Sequence, residues 1–140
     1  MNIFEEFRSK WIKEELNVHS GREKVAIVEC FKKFGVTPCE ELLALYGTID
    51  GKDCMDKEYF RLWSLEEIES ENGSEREFER SMRYGVLFAD YCVNCWCFRI
   101  NNKGEVLIDH FVENSEPKVR FKSIKDFFKL MQKYPDDALV

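Results

Sequence analysis

Three cysteines close together form the sharpest candidate for chemistry in this sequence of 140 residues: Cys92, Cys95 and Cys97. Thiolates at this spacing can bind zinc if a fourth ligand approaches, and Cys54 and His110 are the available donors. A structural zinc module usually has two separated pairs of ligands, whereas this chain has one crowded cluster. Alternation along a strand already accounts for Cys95 and Cys97. We therefore expect buried or half-buried thiols here, with no metal and no cofactor.

Two further groupings carry weaker signals. A cysteine can be activated by a histidine that meets it in space, and His19 and His110 are the only histidines. No local catalytic signature surrounds any cysteine, however. Asp50, Asp53 and Asp56 recur at every third residue, whereas a calcium loop needs oxygen ligands at alternate positions and a closing Glu. We therefore expect solvated loop carboxylates, and no catalytic residues in the chain.

The segment from residue 66 to residue 79 is strongly acidic. Seven glutamates against a single arginine give it a local charge of -6, which equals the net charge of the whole chain. One explanation is a solvated helix face. The other is a landing surface for a basic protein, since clustered carboxylates imitate phosphates and accelerate encounter. The predicted partner-binding residues are Glu66, Glu67, Glu69, Glu71, Glu75 and Glu79, with Glu77 in the same stretch. Trp63 beside them is a candidate anchor, although a core position suits a tryptophan equally well.

Length and composition limit the class of protein. A chain of 140 residues with 44% hydrophobic residues and twelve phenylalanines is expected to form one domain with one core. No apolar run is long enough to span a bilayer, and the first residues lack the layout of a signal peptide, so we expect a cytosolic protein with reduced thiols. The negative net charge disfavours direct nucleic-acid binding and allows a basic protein partner.

Short apolar and aromatic runs predict the sheet that must hold these groups. Residues 85–91, 96–100 and 105–111 are expected to be consecutive antiparallel strands, and residues 59–63 and 119–121 shorter ones. Alternation places Trp96, Phe98 and Ile100 on one face and Cys95, Cys97 and Arg99 on the other. The strand edge near Val119 leaves room for a weak homodimer, although a monomer is equally compatible with the sequence.

Amphipathic segments before and after the sheet predict the helices that cover it. Phe4, Phe7 and Trp11 recur at helical spacing, which predicts an N-terminal helix ending near Leu16. Helix starts are expected at the capping sequences, which begin at Ser20, Thr37, Ser64, Ser74 and Ser123. In the second of these, Pro38 is expected at the first helical position. Gly35 is placed to end a helix in a left-handed conformation.

The order of these segments resembles the SUKH superfamily, which includes bacterial immunity proteins and the yeast regulator of cell-wall glucan synthesis. The resemblance extends over about residues 20–133 and rests on an ordered series of segments, none of which is specific alone. The segments are Pro38-Cys39-Glu40-Glu41-Leu42-Leu43 with Tyr46 and Asp50-Gly51; Phe60-Arg61-Leu62-Trp63-Ser64-Leu65-Glu66-Glu67-Ile68; Phe88-Ala89-Asp90-Tyr91 leading to Phe98-Arg99-Ile100; Gly104-Glu105-Val106; and Phe121, Ser123, Ile124, Phe127 and Phe128. The cysteine cluster and an extra N-terminal helix over residues 1–19 depart from the family pattern.

The resemblance implies a single SUKH-like α+β domain over residues 1–140, with an antiparallel-rich sheet flanked by N-terminal and C-terminal helices. It also implies a cytoplasmic, non-enzymatic protein that binds and neutralises a cognate toxin, for which a basic nuclease is the favoured class. The alternative is a regulatory scaffold domain of the cell-wall-synthesis-regulator type. Members of the family bind different toxins, so no contact residues carry over.

Overall fold

The computed structural model describes residues 2–92, 95–111 and 115–133, which form helices and two antiparallel sheets. This confirms the predicted α+β class. In chain order the elements are α1 (Ile3–Lys13), β1 (Val18–Ser20), α2 (Lys24–Lys32), α3 (Glu40–Thr48), β2 (Ile49–Lys52), β3 (Phe60–Leu62), α4 (Leu65–Asn72), α5 (Glu75–Tyr84), β4 (Val86–Tyr91), β5 (Trp96–Ile100), β6 (Val106–Asp109), β7 (Lys118–Phe121) and α6 (Ile124–Lys133).

The main sheet is a meander in which β3 to β7 lie side by side in chain order. All four pairs are antiparallel, and β7 is the edge strand predicted near Val119. Gly85 joins α5 directly to β4 with a φ of 120°, and a Cβ there would lie 2.6 Å from the carbonyl oxygen of Ile100. Only glycine fits this junction, because both the backbone angle and the space exclude a side chain.

One face of the sheet carries the hydrophobic core. Phe127 of α6 lies over it, with ring centroids 4.6 Å from Phe98 and 5.6 Å from Phe60. The neighbouring ring of Phe128 packs edge-to-face with Phe4 and Phe7 of α1, at 5.3 and 5.0 Å. The two helices that flank the meander in sequence therefore meet on the same face. Edge-to-face aromatic pairs at these distances add stability beyond the area that they bury.

The opposite face of the sheet carries a polar layer beneath α4 and α5. Asp90, Cys97 and Asp109 lie opposite one another across β4, β5 and β6, and all three are buried. Arg99 is completely buried, and its guanidinium donates to Asp109 at 2.9 Å and to the carbonyl of Gly85 at 3.0 Å. The predicted alternation is confirmed, and the second face carries a buried ion-pair layer.

Serine caps begin three of the helices as predicted. The hydroxyls of Ser64, Ser74 and Ser123 each accept a hydrogen bond from the backbone amide three residues later. Gly35 also has the predicted left-handed φ, at 82°. The prediction for α1 was less accurate, because the helix ends at Lys13 instead of near Leu16.

Two predicted helix starts are wrong, and long-range contacts explain both. Ser20 belongs to β1, where it pairs with Ile49 of β2 in a sheet that local sequence did not predict. The amide of Thr37 donates to the side chain of Asn102 at 2.8 Å, which holds this segment against the β5–β6 turn. Helix α3 consequently begins at Glu40, after Pro38.

The aspartates between residues 50 and 56 are mostly buried, which corrects the prediction of solvated loop carboxylates. Asp50 accepts the amide of Leu65 at 2.8 Å, and Asp56 accepts the indole N–H of Trp11 at 2.9 Å. Asp53 is exposed and lies 2.7 Å from the ring of His19. These side chains fix the loop to its neighbours, because each buried carboxylate receives hydrogen bonds.

Lys52 buries an amine next to this loop. Its side chain is fully inaccessible, and its Nζ donates to the carbonyl of Phe60 at 2.8 Å and lies 4.2 Å from the ring centroid of Trp11. Burial lowers the pKa of Lys52 to about 8, although Asp56 at 3.9 Å acts in the opposite direction. The folded protein therefore releases this proton more readily than an unfolded chain does.

Lys52→Met removes this titrating amine, so the difference in unfolding free energy between the wild type and the variant reports on it. We expect this difference, wild type minus variant, to rise by about 2 kcal/mol between roughly pH 7 and pH 9.5. The unfolded state holds more protons in that range, because the folded pKa of Lys52 is about 8. Urea unfolding of both proteins at each pH measures the difference, and thiol and tyrosine titrations cancel in it. A difference that stays constant with pH would contradict the lowered pKa.

Candidate functional site

Helix α5 turns its polar side toward the sheet and its apolar side outward, the reverse of a usual amphipathic helix. Phe78 and Met82 are 44% and 54% exposed, whereas Ser81 is the helix's only buried residue. Glu75, Phe78, Glu79 and Met82 are spaced i, i+3, i+4 and i+7, so they share one side of the helix, and all four are exposed. We call these four residues the α5 stripe.

The polar layer of the sheet explains why α5 faces inward with its polar side. Arg99 donates to Glu77 at 2.9 Å, and Arg80 donates to Asp109 at 3.0 Å. The hydroxyl of Ser81 donates to the buried side chain of Asn72. Burying Phe78 and Met82 here instead would leave the ions of the sheet without partners, which costs more than exposing two apolar side chains.

The seven glutamates of the acidic segment divide into two groups. Glu67, Glu69 and Glu77 form ion pairs with Arg61 at 2.6 Å, Lys33 at 3.1 Å and Arg99 at 2.9 Å. Glu66, Glu71, Glu75 and Glu79 are exposed, and among the described residues none of them forms an ion pair. The free acidic charge is therefore smaller than the sequence predicted, because the remaining carboxylates neutralise nearby cations.

Trp63 is a core residue, so its prediction as a partner-binding anchor is wrong. It is 2% exposed, and its indole N–H donates to Asp90 at 2.6 Å. The residues that sequence reasoning missed as anchors are Phe78 and Met82. The available signal was that α5 has only these two apolar side chains on one side, opposite Glu77, Arg80 and Ser81.

The cysteine cluster does not form a four-ligand metal site in the described part of the chain. The thiols of Cys92 and Cys95 lie within hydrogen-bonding reach of each other where β4 and β5 turn. Cys97 is buried in the polar layer, where burial raises the pKa of its thiol well above the ordinary range. In residues 2–92, 95–111 and 115–133, no three histidine, cysteine or acidic side chains lie close enough to hold a metal ion.

Neither histidine pairs with a cysteine among the residues that the structure describes. His19 is hydrogen-bonded to Asp53, and the ring of His110 packs edge-to-face on Trp96 with centroids 6.0 Å apart. Burial also raises the pKa of Cys30 to about 12, which leaves this thiol a poor nucleophile at neutral pH.

A row of aromatic rings at one end of the sheet is a second exposed surface. Tyr59, Tyr91, Trp96 and His110 follow one another with centroid distances of 6.1, 5.6 and 6.0 Å. Tyr59 has a left-handed backbone, with a φ of 64°, and its side chain is 52% exposed. We call these four residues the aromatic row. Aromatic side chains are common at protein interfaces, so this row is the alternative to the α5 stripe as a protein-binding surface.

No protein-family model matches the chain, and no curated protein matches it either. The resemblance to the SUKH superfamily therefore stays a prediction from the sequence. Within the described residues, no helix has the length and apolar character needed to cross a membrane.

The α5 stripe has the composition of a protein-binding site. Phe78 and Met82 alternate with Glu75 and Glu79 along it, and Glu66 and Glu71 lie on the preceding helix. None of these four carboxylates forms an ion pair within the described residues. Apolar residues of this kind act as anchors at interfaces, and charges around them guide encounter.

Proposed function

We propose that this protein is a SUKH-type immunity protein that binds a secreted or contact-delivered toxin domain in the cytoplasm and blocks it without catalysis. The observation that supports this best is the polar-side-in orientation of helix α5, which exposes Phe78 and Met82 next to Glu75 and Glu79. A stable protein that leaves two large apolar side chains outside its core gains most from a partner that covers them.

The apolar side chains of the α5 stripe pack against residues that follow helix α2. The ring of Phe78 lies 6.1 Å from that of Phe34, and Met82 lies against Gly35. Phe34 is itself 4% exposed, so Phe78 has a rigid neighbour. An anchor held in place before binding loses little conformational freedom in the complex.

The carboxylates of the stripe indicate a basic partner. Glu75 and Glu79 form no ion pair within the described residues, so their charge is available to an approaching cation. A nuclease domain carries a basic cleft for its substrate, and an acidic surface with an apolar centre can cover such a cleft. Inhibition then follows from occupying the cleft, with no reaction on either protein.

The function is tested by co-expressing the chain with toxins encoded beside its gene, followed by pull-down and a growth assay. We expect one such toxin to be bound and neutralised. If none is bound, the immunity proposal fails, and a regulatory scaffold becomes the better explanation.

The binding face is tested with matched single replacements of exposed aromatic residues. We expect Phe78→Ala to weaken toxin binding by about 1–3 kcal/mol, which corresponds to roughly fivefold to 150-fold in Kd. Tyr59→Ala, in the aromatic row, is the control and should leave Kd unchanged. Both side chains are about half exposed, at 44% and 52%, so neither replacement should disturb the core. Weakening by Tyr59→Ala alone would assign the toxin to the aromatic row.

The electrostatic part is tested by kinetics. The double replacement Glu75→Gln and Glu79→Gln should lower the association rate roughly tenfold at low salt and have little effect at high salt. Surface plasmon resonance at two salt concentrations measures both rates. An association rate that does not change at low salt would show that these carboxylates do not guide the partner.

A further inference from the structure

Helix α2 exposes a face with the opposite charge to the α5 stripe. A shallow groove along it is lined by Lys24, Val25, Val28, Glu29, Lys32 and Lys33. Val25 is 66% exposed, more than any other large apolar side chain of the described residues. Lys33 is already paired with Glu69 at 3.1 Å, whereas among the described residues no carboxylate pairs with Lys24 or Lys32. We call Lys24, Val25, Val28 and Lys32 the α2 stripe.

The two stripes match each other in composition. The four residues of each stripe are two apolar side chains and two charges of one sign, with lysines on α2 and glutamates on α5. Glu29 also lines the α2 groove and offsets part of the lysine charge. They are also neighbours in the fold. The chain leaving α2 passes through Phe34 and Gly35, and these two residues contact Phe78 and Met82 of the α5 stripe.

We propose that the free protein associates with a second copy of itself through these two stripes, as a two-fold dimer. A two-fold axis between adjacent patches places the α2 stripe of each copy on the α5 stripe of the other, so the same contact forms twice. Lys24 and Lys32 then meet Glu75 and Glu79, while Val25 and Val28 cover Phe78 and Met82. A second copy is the partner that fits by charge, because each chain carries both the basic α2 stripe and the acidic α5 stripe.

The dimer and a toxin complex exclude each other if the toxin uses the α5 stripe. In that case self-association protects the apolar side chains until a partner with higher affinity arrives. The inference itself stands independently of the proposed function, because the dimer is measured with this protein alone.

The test is a charge exchange between two variants of the full chain. One variant carries Lys24→Glu and Lys32→Glu, and the other carries Glu75→Lys and Glu79→Lys. All four residues are exposed, so both variants should fold, and circular dichroism checks this. Sedimentation velocity over a dilution series measures association for the wild type, for each variant and for an equal mixture of the two.

We expect the wild type to dimerise and to dissociate as salt is added. Each variant alone should dimerise at least about tenfold more weakly, because charges of one sign face each other in both halves of the interface. The equal mixture should restore a dimer with one copy of each variant, because both halves are then complementary. A wild type that stays monomeric, or a mixture that does not associate, would overturn the proposal.

A control separates this interface from pairing of sheet edges. Val119 lies on the edge strand β7 and is 51% exposed. Val119→Lys should leave the dimer intact. If this change abolishes association and the charge variants do not, the two copies meet through β7 and the α2–α5 interface is wrong.

Discussion

Arg99→Met should lower the free energy of unfolding by about 3–5 kcal/mol, because it removes the cation at the centre of the polar layer. The guanidinium of Arg99 is completely buried and holds Glu77, Asp109 and the carbonyl of Gly85, at 2.9, 2.9 and 3.0 Å. Burial alone would raise the pKa of Asp109, but the amide of Phe111 and the two arginines outweigh it and keep this carboxylate charged. Removing Arg99 therefore leaves a buried anion with fewer partners.

Urea unfolding at neutral pH measures this loss, and Arg80→Met is its control. Arg80 also contacts Asp109, at 3.0 Å, but its side chain is 27% exposed, so we expect a cost of only about 1 kcal/mol. Equal losses from the two replacements would contradict the central role of Arg99. A changed slope against urea would show that the compactness of the unfolded or folded state had changed as well.

Asn72→Ala should cost about 3 kcal/mol or more, because one buried amide joins three elements. Its nitrogen donates to the carbonyls of Ile68 and Leu87, at 2.8 and 2.9 Å. Its oxygen accepts the hydroxyl of Ser81 at 2.5 Å and the amide of Leu87 at 2.9 Å. Alanine would leave these backbone and side-chain groups buried without partners, which costs more than a lost exposed hydrogen bond.

Ser81→Ala is the graded control for Asn72, since it removes only one of the four hydrogen bonds. We expect it to cost about 1 kcal/mol. Thermal and urea unfolding of both variants give the comparison. If Asn72→Ala is no more destabilising than Ser81→Ala, the amide does not join α4, α5 and β4 as the hydrogen bonds indicate.

Local patterns predicted the meander and the helix that covers it. The strand runs ending at Tyr91 and Ile100 and the helix after Ser123 have strong periodicity and good caps, so neighbouring residues decide their structure. The pairing of β1 with β2 escaped prediction, because Ser20 and Ile49 are far apart in sequence. Two capping sequences failed for the same reason, since tertiary contacts overrode them.

The candidate site was only partly predictable. The acidic segment was found from charge alone, but charge does not reveal which carboxylates face the arginines of the sheet. An amphipathic pattern normally places Phe78 and Met82 in the core, and only the polar layer beneath α5 reverses it. The sequence could not decide between an anchor and a core position for Trp63, because its hydrogen-bonding partner Asp90 lies on a strand that follows much later.

The contact between α1 and α6 affects how the chain is made. Phe4 and Phe7 are translated more than 100 residues before their partner Phe128. Until then the apolar side of α1 has no ring of α6 to cover it, although hairpins of the meander can already pair. While α6 is still unmade, the nascent chain therefore exposes the apolar side of α1, which makes α1 a segment that a chaperone would hold.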